Sequence, residues 1–302
     1  MKVWILAKKE AESSYNNLRF KEAAEKEGIG ISFVNPEDFD IISTKQGKSS
    51  VYYKGENVKL PDCLIPRMGS GTTYFAHAII RHLEHLGVLA LNSSDSVAMA
   101  KDKLATVQQL AANNIPTPKT ILAKFPIDMG IIKKEFSYPI ILKTISGSYG
   151  KGVFLCENRN KLNDTLNLME MSKDPKVNLI LQEFVKSSKG RDIRVIVIGG
   201  RPIGAMLRKA RRGTYKANYS AGGSVLNFEL NPAVEWLAIK SARLLNLDIA
   251  GVDILFDGDK YVVCEVNSAP GFEGFERATG IDVPKKIFEY IRIRLGKEKF
   301  NS

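Results

Sequence analysis

The sequence predicts an α/β (α+β) protein in two parts: a small parallel α/β domain first, then a larger part built on antiparallel hairpins. Three observations lead there. At 302 residues the chain has room for about two domains. In its first third, short apolar runs alternate with segments of helical periodicity, the pattern of a parallel sheet. Further on, apolar runs rich in β-branched residues flank tight Gly-containing turns, the mark of hairpins. A hydrophobic share of 44% and a charged share of 25% are those of a globular chain.

In order, Val3 to Ala7 reads as a buried strand, Tyr15 to Gly28 as a helix with a Gly stop, and Ile31 to Val34 as a second strand. Val51 to Val58 reads as a small hairpin. Leu64-Ile65-Pro66-Arg67 ends another strand, and a Gly-rich loop, Met68 to Thr73, precedes a helix from Tyr74 to Leu86. Arg67 stands at a strand end beside that loop, where open α/β sheets bind ligands, so an anion contact is one reading and a surface arginine the other. Asn92-Ser93-Ser94-Asp95 offers helix caps before a helical stretch from Ser96 to Asn113. Pro116 and Pro118 break the pattern. Thr120 to Ala123 reads as a strand, Ile127 to Phe136 as a helix, and Pro139 to Lys143 as a buried strand ending in lysine. Ser146 to Gly152 is a Gly-rich loop joining that strand to the next, Val153 to Glu157. A Walker A loop leads into a helix, so the P-loop reading is disfavoured, but a Gly-rich hairpin loop can still fold over phosphates.

Asn178 to Val185 is another strand. Arg191 to Ile198 and Pro202 to Leu207 form a hairpin around Gly199-Gly200. Gly213 to Gly223 reads as a loop, Pro232 to Leu245 as a helix, Phe272 to Gly280 as a polar loop, and Val283 to Leu295 as a closing helix. Between the last two helices, Gly251 to Leu255 and Tyr261 to Asn267 flank the turn Asp257-Gly258-Asp259-Lys260. Glu265 and Asn267 are two apart and share a strand face. Asp253 on the partner strand can face them. Three oxygen donors would then converge, a set suited to Mg²⁺ or Mn²⁺. The competing reading is three ordinary solvent-facing strand residues.

Composition narrows the function. No apolar run approaches the roughly 18 residues a membrane span needs. The apolar start Met1 to Leu6 runs into Lys8, Lys9 and Glu10, too soon for a signal-peptide core. Cys63, Cys156 and Cys264 are scattered and sit in apolar runs, so buried free thiols and a cytoplasmic setting are expected. There is no G-x-G-x-x-G after the first strand and no zinc spacing. His77, His82 and His85 share one helical stretch, more in keeping with an amphipathic surface than with a metal site. The net charge of +11 points to a partner, nucleic acid or an acidic ligand, or else to a solubility role. It is concentrated: Lys186 to Lys216 holds ten basic residues and one acidic one, Asp192.

Taken together, the motifs Leu64 to Gly69, Ala100-Lys101-Asp102-Lys103, Pro139 to Lys143, Gly147 to Gly152, Gln182-Glu183-Phe184, Gly190 to Arg194, Ala217-Asn218, Ala250 to Ile254, Glu265 to Gly271 and Thr279 to Asp282 are specific in order and spacing. The chain resembles the ATP-grasp carboxylate–amine ligases, and among them the ribosomal protein S6 modification (RimK-type) glutamate ligases. The resemblance implies an ATP-grasp fold with a pre-ATP-grasp α/β domain over 1–97. The ATP-grasp domain would be 98–302, with a lid subdomain over about 115–185 and a metal and substrate subdomain over about 186–302.

It also implies roles. Lys103 and Lys143 would contact ATP phosphates, under a loop that includes Gly147, Ser148, Gly150, Lys151 and Gly152. Glu183 and Phe184 would hold the adenine edge and Asp192 the ribose. Lys216, Ala217 and Asn218 would line the nucleotide and substrate site; Lys216 stands where arginine is usual, and Phe184 where tyrosine is. Asp253, Glu265 and Asn267 would hold two Mg²⁺ or Mn²⁺ ions. Arg208 and Arg194, at alternating strand positions beside the site, are candidates to hold an acylphosphate and an oxyanion, with Asn267 counted among the catalytic residues too.

A carboxylate is a poor electrophile. Transfer of the γ-phosphoryl of ATP makes it an acylphosphate that an amine can attack, and the anions so gathered must be neutralised. The expected partners are glutamate or a similar amino acid and an acidic C-terminal peptide, with ribosome association, homo-oligomerisation and no membrane. Two readings stay open: the same chemistry on a small-molecule carboxylate, and a non-catalytic nucleic-acid-binding module.

Overall fold

A computed structural model describes residues 1–8, 13–45, 50–145, 152–171, 178–211, 219 and 222–296. The first part is β1 (Lys2–Leu6), α1 (Tyr15–Lys26), β2 (Gly30–Val34), β3 (Phe39–Ile41), β4 (Val51–Tyr53), β5 (Glu56–Asn57), β6 (Cys63–Pro66), α2 (Tyr74–His85) and β7 (Leu89–Ala90). A parallel sheet runs in the order β2-β1-β6-β7. The hairpin expected at 51–58 joins β3 in a separate three-stranded sheet. Alternation decides what β1 buries. Trp4 and Leu6 pack with Ile79, Ile80 and Leu83 of α2. Val3 and Ile5 pack with Phe20 and Ala24 of α1, in a core shared with Phe272, Phe275 and Phe288 from the far end of the chain. The N-terminal sheet and the C-terminal helices are thus one hydrophobic unit.

One long helix was expected over 96–113. The structure has two, α3 (Ser94–Lys101) and α4 (Lys103–Ala112). Asp102 parts them: its backbone is extended (φ −85°, ψ 104°), and its carboxylate accepts from the amides of Leu104 (2.9 Å) and Ala105 (3.0 Å). An aspartate that caps a new helix competes with continuing the old one. The break sets Lys103 at the first turn of α4.

The second part opens with β8 (Thr120–Ala123), α5 (Met129–Glu135), β9 (Ile140–Thr144), β10 (Val153–Cys156), α6 (Arg159–Met171) and β11 (Leu179–Glu183). These strands form an antiparallel sheet in the order β10-β9-β11-β8. One face, with Leu142, Leu179 and Leu181, packs on Ile132, Leu162 and Leu166 of the helices. The opposite face carries Lys143, Ile180 and Gln182.

Then come β12 (Arg191–Ile198), β13 (Arg201–Lys209), β14 (Ser224–Phe228), α7 (Pro232–Leu244), β15 (Ile249–Asp257), β16 (Lys260–Asn267), α8 (Glu273–Thr279) and α9 (Val283–Arg294). The sheet order is β14-β13-β12-β15-β16, all antiparallel. Its central strands are covered on both sides. Ile193, Val195 and Val252 face α7, and Ile196 and Ile198 join the shared core. One segment differs from expectation. Phe272 to Gly280 is not a loop: Glu273 to Thr279 is helical, with acidic residues in its first turn and Gly280 left-handed (φ 71°) at its end. Ser224 to Phe228 is an edge strand. Among the described residues no helix is long and apolar enough to cross a membrane.

Candidate active site

The β15–β16 hairpin turns at Gly258-Asp259, with Gly258 at φ 62°. Asp253 is paired with Glu265, and Gly251 with Asn267. Paired residues share a face, so the three expected donors lie on one side of the hairpin. The register shifts between Asp253 and Ile254, because Ile254 pairs with Val263 and Cys264 is left over. This β-bulge reverses the alternation of β16. Val263 and Val266 therefore reach the same core despite being three apart, and the neighbours Cys264 and Glu265 both line one cleft.

That cleft lies between α4, the free face of β9 and β11, and β16. Lys103, Lys143, Gln182 and Glu265 point into it. Lys143 Nζ donates to Gln182 Oε1 at 2.6 Å and lies 3.7 Å from Cys264 Sγ. Gln182 is itself fixed. The Thr120 hydroxyl donates to Pro118 O (2.9 Å), so its oxygen accepts from Gln182 Nε2 (3.0 Å) and leaves Oε1 to the lysine. Lys103 Nζ donates to Ile145 O at 3.3 Å and stands 3.9 Å from Glu265 Oε1. Burial lowers the pKa of Lys103; the nearby Lys143 charge adds to this, while Glu265 pulls the other way. Two ammonium groups held close in a cleft suit a polyanion.

Next to the cleft, β13, β12 and β15 carry a ladder of alternating charges. Arg194 is paired in register with Asp253, and Asp192 with Arg208. Arg194 donates to both oxygens of Asp253, Nε to Oδ1 and Nη2 to Oδ2, each at 2.6 Å. Arg208 donates to both oxygens of Asp192 (2.6 and 2.9 Å), and its Nη2 lies 2.9 Å from Asp253 Oδ2. Arg208 is 4% exposed and Asp253 5%. Burial alone would raise the Asp253 carboxyl, but the two guanidiniums hold it below the ordinary carboxylate value. Burial pushes Asp192 up, against the pull of Arg208. Buried charges at this density stand only when paired and hydrogen-bonded.

The expected site residues are thus distributed as follows. Lys103, Lys143 and Glu265 share the cleft, and Arg194, Arg208, Asp192 and Asp253 form the ladder. Asn267 Nδ2 donates to Gly251 O at 3.4 Å. Glu183 ends β11, exposed, with its amide donating to Lys119 O (2.9 Å), and Phe184 follows half-buried. Gly152, left-handed at φ 71°, lies just ahead of β10; a Cβ there would sit 2.6 Å from Thr144 Oγ1. Gly147, Ser148, Gly150, Lys151, Lys216, Ala217 and Asn218 lie outside the described residues. Arg67 does not stand open to an anion as one reading had it. Its Nη2 donates to Pro270 O at 2.8 Å, and its guanidinium lies over Phe20 and Phe272. Cys63 and Cys156 are buried, but Cys264 is only half-buried. Gln182 was missed as a site residue, although its place two residues before Phe184 puts it on the strand face opposite Leu181.

For a divalent cation the donor chemistry fits. Asp253, Glu265 and Asn267 offer hard oxygens on one face, and Mg²⁺ commonly takes one or two carboxylates and completes its shell with phosphate oxygens and water. Among the described residues no three His, Cys, Asp or Glu side chains are grouped to hold an ion; the trio has two carboxylates and an amide, and Asp253 is bonded to arginine.

Comparison with known proteins agrees with the geometry. Residues 1–97 match the RimK PreATP-grasp domain, and residues 100–291 the RimK-like ATP-grasp domain. The chain belongs to the RimK family of ATP-grasp proteins. It is 35% identical over 294 residues to a probable alpha-L-glutamate ligase of Legionella pneumophila (strain Corby), covering 96% of this chain and 95% of that one. It is 34% identical over 302 residues to a protein of the same description from Methanococcoides burtonii, covering 99% and 98%. Among solved structures it is similar in fold to the ATP-grasp ligase PsnB complexed with a minimal precursor (TM-score 0.74, 18% identity, 98% of each chain). It is similar likewise to the D-alanine–D-alanine ligase of Bacillus anthracis complexed with ATP (TM-score 0.70, 19% identity, 99% of each chain). This RimK-family protein is an ATP-dependent ligase that joins an acid to an amino acid through a C–N bond. That excludes the reading as a non-catalytic nucleic-acid binder.

Proposed function

We propose that the protein adds glutamate to the carboxyl end of an acidic peptide or protein, such as ribosomal protein S6. The observation that carries this is the convergence of Lys103, Lys143 and Glu265 in one cleft beside the Arg194–Asp253–Arg208–Asp192 ladder. Two lysines there suit the phosphates of ATP, and the arginines suit an acylphosphate. The acceptor carboxylate attacks the γ-phosphorus and ADP leaves. The amine of the incoming amino acid then attacks the acyl carbon and phosphate leaves. Asp253, Glu265 and Asn267 would hold two Mg²⁺ or Mn²⁺ ions, which when bound neutralise phosphate oxygens during transfer.

The glutamate assignment draws on the curated relatives, described as probable alpha-L-glutamate ligases. The peptide acceptor draws on structural neighbours solved with precursor peptides. A net charge of +11 would steer acidic substrates in, and a ribosomal target would use the same charge. A homo-oligomer is part of this reading, as is action in the cytoplasm. The alternative acceptor is a small-molecule carboxylate. The test is mass spectrometry of candidate acceptors after incubation with ATP, Mg²⁺ and glutamate. A ladder of glutamate additions on a peptide carboxyl end is expected; additions confined to a small molecule would select the alternative, and ADP release without either product would refute both.

A further inference from the structure

The turn at Gly258-Asp259 holds one end of the β15–β16 hairpin, and the donors sit at the other. That open end is tied by the N-terminal domain. Asn92, 0% exposed, lies just ahead of α3. Its Nδ2 donates to Ile249 O (2.7 Å) and Ser268 O (2.8 Å), and its Oδ1 accepts from Ile249 N (2.8 Å). Ile249 is the first residue of β15, and Ser268 the first after β16. One amide therefore joins both strands beside the Gly251–Asn267 pair. Only a carboxamide offers two donors and an acceptor at one side-chain end.

Two more ties follow within four residues. Arg67, at the end of β6, donates to Pro270 O at 2.8 Å, and Asn16 Oδ1 accepts from Phe272 N at 3.1 Å. Pro270 in turn lies against Gly251; a Cβ at 251 would be 2.6 Å from Pro270 Cβ. The segment that follows Asn267 is thus seated on N-terminal side chains on one side and on β15 on the other.

We propose that Asn92 and Arg67 are positioning residues that set the divalent-cation affinity of the hairpin, so that the pre-ATP-grasp domain governs metal binding by the ATP-grasp domain. The inference rests on the reading of Glu265 and Asn267 as cation ligands. Neither would be a ligand to the ion; each fixes the backbone that aims the donors, and outer partners of this kind commonly change metal affinity about 10–100-fold.

The test is titration of the full-length protein with Mn²⁺ in the presence of ADP, read by electron spin resonance without turnover. Arg67→Met keeps apolar bulk over the two rings and removes the donor. Asn92→Asp turns an oxygen toward two carbonyls. Both are expected to raise the Mn²⁺ dissociation constant about tenfold or more, with metal-free ADP affinity within about twofold of wild type, and Arg67→Lys, which retains a donor, is expected to recover part of the loss. Glu265→Gln is the control. Loss of Mn²⁺ binding in Glu265→Gln with wild-type binding in Arg67→Met overturns the positioning claim alone, whether or not Asn92→Asp folds. Wild-type binding in Glu265→Gln overturns the ligand reading, and this proposal with it.

Discussion

Arg194 and Asp253 meet through two parallel hydrogen bonds of 2.6 Å across the β12–β15 pair. Arg208 adds a third bond to the same carboxylate at 2.9 Å. Asp253→Asn would leave the buried Arg208 guanidinium with Asp192 alone and take the carboxylate partner from the half-buried Arg194. A loss of about 3–5 kcal/mol of stability is expected, the usual cost of breaking a buried pair from one side, together with loss of ligase turnover. Urea denaturation measures the first and ADP release the second. A stability change below about 1 kcal/mol would show that the ladder is not what holds these three strands in register.

Lys143 owes its place to Gln182, which owes its own to Thr120. Lys143→Ala is expected to weaken ATP binding about ten- to hundredfold, the worth of a charge-assisted hydrogen bond. Gln182→Glu sets an anion where the amide oxygen was and should weaken it too, whereas Gln182→Met leaves the ammonium unanchored and should cost less. Calorimetric titration with a non-hydrolysable ATP analogue gives the order; equal affinity in Gln182→Glu and wild type would remove Gln182 from the phosphate site.

The lowered pKa of Lys103 has a direction that pH can read. Burial disfavours its ammonium, so it deprotonates below the ordinary value of 10.5. Phosphate favours the charged form. Nucleotide affinity should be full below the lowered pKa and fall as pH rises through it, before 10.5 is reached. In the same window the unfolded chain binds more protons than the folded one, so stability of the nucleotide-free protein rises with pH. Lys103→Arg keeps its charge throughout and should flatten the alkaline fall in affinity. A wild-type profile with no alkaline limb would speak against a role for Lys103 on phosphate.

Asp192 was expected at the ribose, yet both of its oxygens bond Arg208. If its task is to aim that guanidinium, Asp192→Asn lowers kcat by about tenfold or more and leaves the ratio of kcat/KM for ATP over 2′-deoxy-ATP where it was. If its task is the ribose, the ratio collapses and kcat at saturation holds. Steady-state kinetics with the two nucleotides separates them.

The parts of this site written in neighbouring residues were legible in the sequence. The spacing of Glu265 and Asn267, the turn at 257–260 and the lysine near the end of β9 are local signals, and they placed the hairpin and one wall of the cleft. The motifs named the family, which the matches over 1–97 and 100–291 bear out. The ladder was not legible, because Arg194, Asp253 and Arg208 become neighbours only once three strands take one register. Asn92 was hidden for the same reason: its partners lie 157 and 176 residues away. The helix at Glu273 was masked by its charges, which obscure the spacing of Phe272, Phe275 and Ala278. The bulge did leave a trace, since Val263 and Val266 cannot both be core residues of an unbroken strand.

Two ways of zipping compete in that hairpin. Closed without interruption from its turn, β16 would set Cys264 opposite Asp253 and slide Glu265 opposite Val252, among the apolar side chains beneath α7. A carboxylate stranded there would cost several kcal/mol. The simpler zipper is therefore penalised by the very residue that chemistry needs elsewhere, and the hairpin carries its own guard against slipping by one.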